Sequence, residues 1–169
     1  MKVRPIRPSD VPAVARTVVA AWQAAYRGIL SNAFLEGLDV KRIEEAWHEI
    51  VERTDRTDLV VEVDGQTIGF VGFGTARDED TDPTQVAEVY AIYVHPDHWR
   101  AGAGSALIEA ALERLRQAGY AQVVLWTMRD NTPAQDFYRK NGFRRDAATK
   151  ISERQGEQFE EVRFWREIK

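Results

Sequence analysis

Residues 99–105 read Trp-Arg-Ala-Gly-Ala-Gly-Ser, directly after an apolar run and directly before a helical pattern. Glycine inside a helix costs roughly 1 kcal/mol relative to alanine, so two of them at a helix mouth call for a reason. A helix N-terminus presents unpaired backbone N–H groups and a partial positive charge, and glycine lets an anion reach those donors closely. Arg100 adds a charge-assisted donor and Ser105 a hydroxyl. The segment therefore has the chemistry of a phosphate cradle. The same glycines also suit a tight strand-to-helix turn, and their spacing alone leaves both readings open. A P-loop is excluded, because Ser-Ala and not Lys-Ser/Thr follows Gly104. A Rossmann loop is excluded too: Leu107 takes the place of the third glycine, and the next strand, "VVLWTM", has no acid.

The elements that position this loop can be read from periodicity. Val86 to Val94 is apolar on both faces, as a central strand is. After the loop comes a helix with Leu107, Ala111, Leu115 and Ala118 along one stripe and Gly119 as its stop. "AQVVLWTM" is a further strand, and "NTPAQDFYRKNG" a short helix capped at Asn131 or Thr132. Upstream, "KVRPI" is an edge strand because of Pro5. Ser9 or Asp10 caps a helix carrying Val11, Val14, Val18, Trp22 and Ala25 on one face. "SNAFLEGL" and "DVKRIEEAWHEIVER" are two more helices. "LVVEVDGQTIGFVGFG" is a hairpin turning at Asp64-Gly65, a type I′ pair. "FRRDAATKI" and "EQFEEVRFWREI" end the chain as a strand pair. The order is α+β with a strand–helix–strand unit in its second half, in one domain spanning residues 1–169.

Taken together, the strand ending "IYVHP", the loop "WRAGAG" and "NTPAQDFYRKNGF" with its Asn-x6-Tyr spacing resemble the GNAT superfamily of acyl-CoA-dependent N-acyltransferases. The order of elements, including "AAWQAAYRGIL", extends the resemblance over nearly the whole chain. It implies a central, mostly antiparallel, twisted sheet of six to seven strands flanked by helices, with the middle strands splayed. It implies acetyl transfer from acetyl-CoA to a primary amine by direct attack in a ternary complex. By position, the backbone of Ile92, Tyr93 and Val94 would hold the pantetheine arm, which binds as an added strand does. Arg100, Ala101, Gly102, Ala103, Gly104 and Ser105 would hold the pyrophosphate, and Asn131 would contact the arm. The chain departs from the family at Trp99, where Arg or Gln is usual. The alternative from another class is a non-catalytic acyl-CoA-binding sensor or scaffold module; a different nucleotide at the loop is a third reading.

Acetyl transfer needs a neutral amine, and an alkyl amine of pKa near ~10.4 is only about one part in a thousand neutral at pH 7. A tyrosine of similar acidity is a reasonable donor to the departing thiolate; the resemblance points to Tyr138, which otherwise reads as a half-buried aromatic beside Phe137. Glu88 is the candidate base. Strict alternation puts it on one strand face with Val86, Tyr90, Ile92 and Val94, a lone carboxylate among apolar groups. Equally, it could be paired with an arginine, and a water chain could carry the proton instead. A second base position used in some relatives falls at Trp126. Trp22, Tyr26 and Arg27 are candidates for lining the acceptor pocket, though their spacing suits core packing as well.

Composition bounds the rest. A net charge of −4 argues against nucleic-acid or anionic-membrane binding. The absence of cysteine excludes disulfides and thiolate chemistry. His95 and His98 lack the further ligands a metal site needs, so no metal is expected. The acidic stretch "RDEDTDP" reads as solvated or as a steering field for a cationic amine. The first residues lack a signal-peptide core, so a cytoplasmic location is expected; the resemblance is compatible with a homodimer.

Overall fold

The computed structural model describes residues 1–169. Seven strands form one sheet in the order β1-β2-β3-β4-β5-β7-β6. They are β1 (Lys2–Pro5), β2 (Arg56–Val63), β3 (Gln66–Thr75), β4 (Val86–Val94), β5 (Gln122–Met128), β6 (Arg144–Arg154) and β7 (Glu157–Glu167). Every neighbouring pair is antiparallel except β4 and β5. A parallel pair needs a crossover, and the helix entered through the glycines, α4 (Ala103–Gln117), supplies it. Helices α1 (Val11–Ala25), α2 (Asn32–Glu36) and α3 (Val40–Ile50) precede the hairpin, and α5 (Thr132–Lys140) follows β5.

The hairpin turns as its sequence dictates, with φ of +49° at Asp64 and +79° at Gly65, the positive pair of a type I′ turn. Pro5 sits in β1, at the sheet edge. Asp10 is used differently from its expected capping role. It ends a short 3-10 turn and makes no side-chain cap on α1. Its carboxylate accepts from Arg4 Nη1 and Nη2 (2.7 and 2.8 Å), the Arg7 N–H (2.8 Å) and the Thr67 hydroxyl (2.8 Å). It thereby ties β1 and β3 to the start of α1.

The main core lies between the sheet and one stripe of α4: Leu107, Ile108, Ala111 and Leu115 pack on Val71, Phe73, Ala87, Val89 and Phe164. Ala118, expected on that stripe, is exposed at the C-cap, because the helix has already ended. On the opposite face α1 and α3 bury Val11, Val14 and Trp47 against Val60 and Phe70, with Trp47 and Phe70 edge to face at 4.6 Å. A third cluster, Trp22, Tyr26, Leu30, Leu35 and Met128, closes the end of α1. No helix is long and apolar enough to cross a membrane.

Candidate active site

Strands β4 and β5 pair only over Val86–Val89 and Gln122–Leu125, although β4 runs on to Val94. Beyond that seam the two strands part. On its other side β4 stays paired with β3 to the end, through a bulge at Tyr90: Gly72 faces Ala91 and Phe73 faces Val89. The bulge inserts one residue and reverses the alternation beyond it. Ala87, Val89, Ile92 and Val94 therefore share the α4 face, while Ala91 and Tyr93 pack under α1 and α3. Strict alternation had placed Ile92 and Val94 beside Glu88; the bulge moves them to the opposite face.

The bulge and register also decide which backbone groups meet the gap. His95 N–H donates to Ile68 carbonyl (2.8 Å), and antiparallel alternation then turns the N–H and C=O of Tyr93 toward β3 and those of Ile92 and Val94 away from it. The Tyr93 carbonyl lies against Gly69, 2.8 Å from where a Cβ there would sit. Of the three residues expected to offer free backbone, Tyr93 is thus consumed by its pairing with Phe70. The Val94 carbonyl is also engaged, by the Trp99 indole N–H at 2.7 Å. Ile92 retains both groups, and Val94 its N–H.

At the mouth of α4, Arg100 has φ +63° and Gly102 φ +87°. The left-handed turns tip the backbone so that no N–H of residues 100–105 donates within the protein; the first helical bond runs from Ala106 N–H to the Gly102 carbonyl, 3.0 Å. Six unpaired amide donors, the positive end of a 15-residue helix and the exposed Arg100 lie in this stretch, with no acid among residues 99–105. That donor set fits a diphosphate. The two glycines do different work. A Cβ on Gly102 would meet nothing within 4 Å, so its role is conformational, whereas one on Gly104 would lie 3.0 Å from two ring carbons of Phe137. His95 and His98 flank a separate 3-10 turn, where His95 Nδ1 accepts from Asp97 N–H.

Helix α5 carries Asn131 at its cap and Tyr138 near its end, with Tyr138 close to Tyr93 of β4. Asn131 Oδ1 caps the helix by accepting from Ala134 N–H (3.3 Å). Tyr138 is buried with Phe137, Phe143 and Phe164 around its ring. Burial, and then the neighbouring Tyr93 hydroxyl, push its phenol well above the usual value, and no protein group bonds to its oxygen.

Glu88 is 3% exposed and fully engaged. Its carboxylate accepts from Arg77 Nη2 (2.6 Å), Nε (3.0 Å) and backbone N–H (3.1 Å). It is the arginine-paired reading of Glu88 that the structure bears out. The bond to Glu88 holds the Arg77 guanidinium above its usual value, and its carbon sits 4.3 Å from the Tyr90 ring centre. Glu88, Tyr90, Trp126, Lys150, Arg154 and Phe159 line part of one cavity of about 330 Å³ on the α1 side of the gap. A larger cavity, about 580 Å³, lies between the C-terminal end of α4 and the β2–β3 pair and is lined by none of these residues.

Trp22 and Tyr26 do reach the gap. The Tyr26 and Tyr93 hydroxyls are 3.3 Å apart. Burial and this contact raise the Tyr26 phenol well above its ordinary value, and burial raises Tyr93. Arg27 does not join them: it is exposed and donates to Asn32 (3.2 Å). Two acids of the acidic loop, Asp78 and Asp80, are paired. Asp78 accepts from Trp126 Nε1 (2.9 Å), and Asp78 and Asp80 bind Arg163 at 3.1 and 2.7 Å, with Asp146 on the same guanidinium. Sequence reading missed Arg77, Lys150, Arg154 and Arg163. Their partners lie on other elements, Glu88 on β4, Glu161 on β7, Trp22 on α1 and Asp78, Asp80 and Asp146 for Arg163, and only the even spacing of Lys150, Ser152 and Arg154 on one strand face hinted at them.

Comparison with known proteins places these features in context. Residues 21–143 match the acetyltransferase (GNAT) family. The chain is 31% identical over 137 residues to the uncharacterized N-acetyltransferase YuaI of Bacillus subtilis, covering 80% of this chain and 76% of that protein. It is 38% identical over 107 residues to a mycothiol acetyltransferase of Saccharomonospora viridis, 62% of this chain but 35% of that longer protein. Among solved structures, the PaiA N-acetyltransferase of Thermoplasma acidophilum, in complex with coenzyme A, superposes with a TM-score of 0.76 at 21% identity, covering 98% of each chain.

Proposed function

The chain belongs to the GNAT family of acetyltransferases, and from that premise we propose that it transfers an acetyl group from acetyl-CoA to a primary amine by direct attack in a ternary complex. The observation that carries this reading is the seam between β4 and β5, which ends four residues in and leaves the Ile92 backbone and the Val94 N–H unpaired, a few residues before the free amides of residues 100–105.

Those amides and Arg100 would hold the diphosphate of the cofactor. Ile92 N–H and C=O and Val94 N–H would pair with its amide-bearing arm as an added strand does, and Asn131 would contact the same arm. When bound, acetyl-CoA supplies the thioester: the amine nitrogen forms the new bond to the acetyl carbon as the carbon–sulfur bond breaks. Tyr138 holds its proton at neutral pH and gives it to the departing sulfur. Glu88 takes the proton shed by the amine, directly or through one water, while Arg77 fixes its orientation. Trp126, by contrast, is committed to Asp78 and walls the cavity.

Isothermal titration with acetyl-CoA, coenzyme A and dephospho-coenzyme A tests the binding half. Saturable micromolar binding, weakened at least ~10-fold by Arg100→Ala, is expected; no binding up to millimolar concentration would overturn the reading. An amine screen monitored by thiol release tests the transfer half.

A further inference from the structure

The acceptor side of the gap carries a group of donors that the transfer chemistry leaves unused. Trp22 is 5% exposed, and its indole N–H faces the Tyr93 hydroxyl without forming a hydrogen bond of acceptable geometry; it is the one buried side-chain polar atom without a partner. Beside it are the Tyr26 and Tyr93 hydroxyls. Over the Trp22 ring, 4.9 Å from its centre, sits the Arg154 guanidinium. A buried unpaired N–H is costly, and here it lies next to a cation.

Arg154 is also the cation in this cavity that no carboxylate neutralises. Arg77 is bound to Glu88, and Lys150 lies 3.8 Å from Glu161, whose oxygen also accepts from Ser152 (2.6 Å). Glu157 is opposite Arg154 in the β6–β7 register, but its carboxylate accepts from the Ser31 hydroxyl instead. The β-strand that could have neutralised Arg154 turns its acid away.

We infer that the acceptor is a small amine bearing an oxyanion, a carboxylate foremost, that Arg154 binds, with Trp22, Tyr26 and Tyr93 packed behind Arg154 outside the cavity lining. Arg154 and Glu88 line the same cavity of about 330 Å³, so a molecule of amino-acid size can meet both: its anion at Arg154, its amine toward Glu88. Arginine suits this task because its planar donors match a carboxylate two at a time. The inference rests on the transferase reading and adds the class of acceptor to it.

The test uses matched acceptors: amino acids, their carboxamides and the aminophosphonates of the same side chains. Thiol release from acetyl-CoA is measured with the unaltered protein and with Arg154→Gln. In parallel, each compound is titrated calorimetrically into the coenzyme A-bound protein, so that binding is read without turnover. The expected result is kcat/KM at least ~10-fold higher for the acids than for their amides, with Arg154→Gln removing that preference while changing the amides less than about twofold. A phosphonate preferred over its carboxylate would keep the anion site and change its ligand. Amides turned over as well as acids, or both falling equally in Arg154→Gln, would overturn this inference and leave the transferase intact. Arg154-dependent binding of the acids without thiol release would keep the anion site at Arg154 but sink the transferase reading, and with it the acceptor role inferred here; absence of both binding and turnover across all compounds overturns the inference.

Discussion

Gly104 and the ring of Phe137 are in such close contact that a methyl group on Gly104 would lie 3.0 Å from two ring carbons. The contact joins the helix that offers the amide donors to the helix that carries Tyr138. Gly104→Ala is expected to cost about 1–2 kcal/mol in urea unfolding, since the ring must shift within a packed site. In a Phe137→Leu background the same substitution should cost less than half as much. Strict additivity in that double-mutant cycle would show that the contact carries no coupling.

Tyr138→Phe should reduce turnover at least ~10²-fold and leave acetyl-CoA affinity unchanged. Because burial and Tyr93 raise the phenol, its proton stays on as pH rises through ordinary values. The pH–rate profile should therefore show no alkaline limb belonging to Tyr138 below about pH 10. Such a limb, present in the unaltered protein and lost in Tyr138→Phe, would contradict the assignment.

Glu88→Gln should lower turnover about 10- to 100-fold at neutral pH; unchanged turnover would hand the proton to water alone. Arg77→Met leaves a buried carboxylate with no charged partner and is expected to cost about 2 kcal/mol. The Arg77→Met/Glu88→Gln pair should recover much of that stability, with no recovery of activity.

Asp10 makes a distinct prediction for acid stability. Burial works to raise its pKa, but Arg4, the Arg7 N–H and Thr67 together hold it below the ordinary 3.8. The folded-state value being the lower one, this stabilisation is complete above the unfolded value and is lost as pH falls through about 4 and below. Asp10→Asn should be less stable at pH 7 and show a flatter decline between pH 5 and 2, measured as the urea midpoint at each pH. A decline parallel to that of the unaltered protein would exclude Asp10 from the acid response.

Much of this architecture could be read from the sequence because local signals agreed with one another. Asp64-Gly65 gave the turn, Gly119 the end of α4, and the apolar run of β4 its central place. The anion loop was legible as chemistry, though not the division of labour between Gly102 and Gly104, which depends on a ring 33 positions away. Tyr90 was the hidden element. Its bulge leaves no mark in an apolar run, yet it reverses the faces of Ile92 and Val94 and, with the β3 register, consumes the Tyr93 backbone. The ion pairs of Glu88 and Arg163 were hidden for a related reason: charged partners are chosen by strand register, which no single segment encodes. Arg27, a candidate by resemblance, lies past the end of α1 at Ala25 and is exposed.

The short β4–β5 seam has a mechanical meaning. Strands β1 to β4 form one antiparallel plate and β5 to β7 another, and the strand ladder between them runs only along Val86–Val89 and Gln122–Leu125, with Trp126 and Arg163 tied to Asp78 beside it. A change of twist along so short a spine would alter the width of the cleft between the plates. The width of the cleft is then governed by Ala87, Val89, Val123 and Leu125, which are buried on the α4 face at that spine. Enlarging or trimming these side chains would retune the aperture from beneath, with every group that lines it left in place.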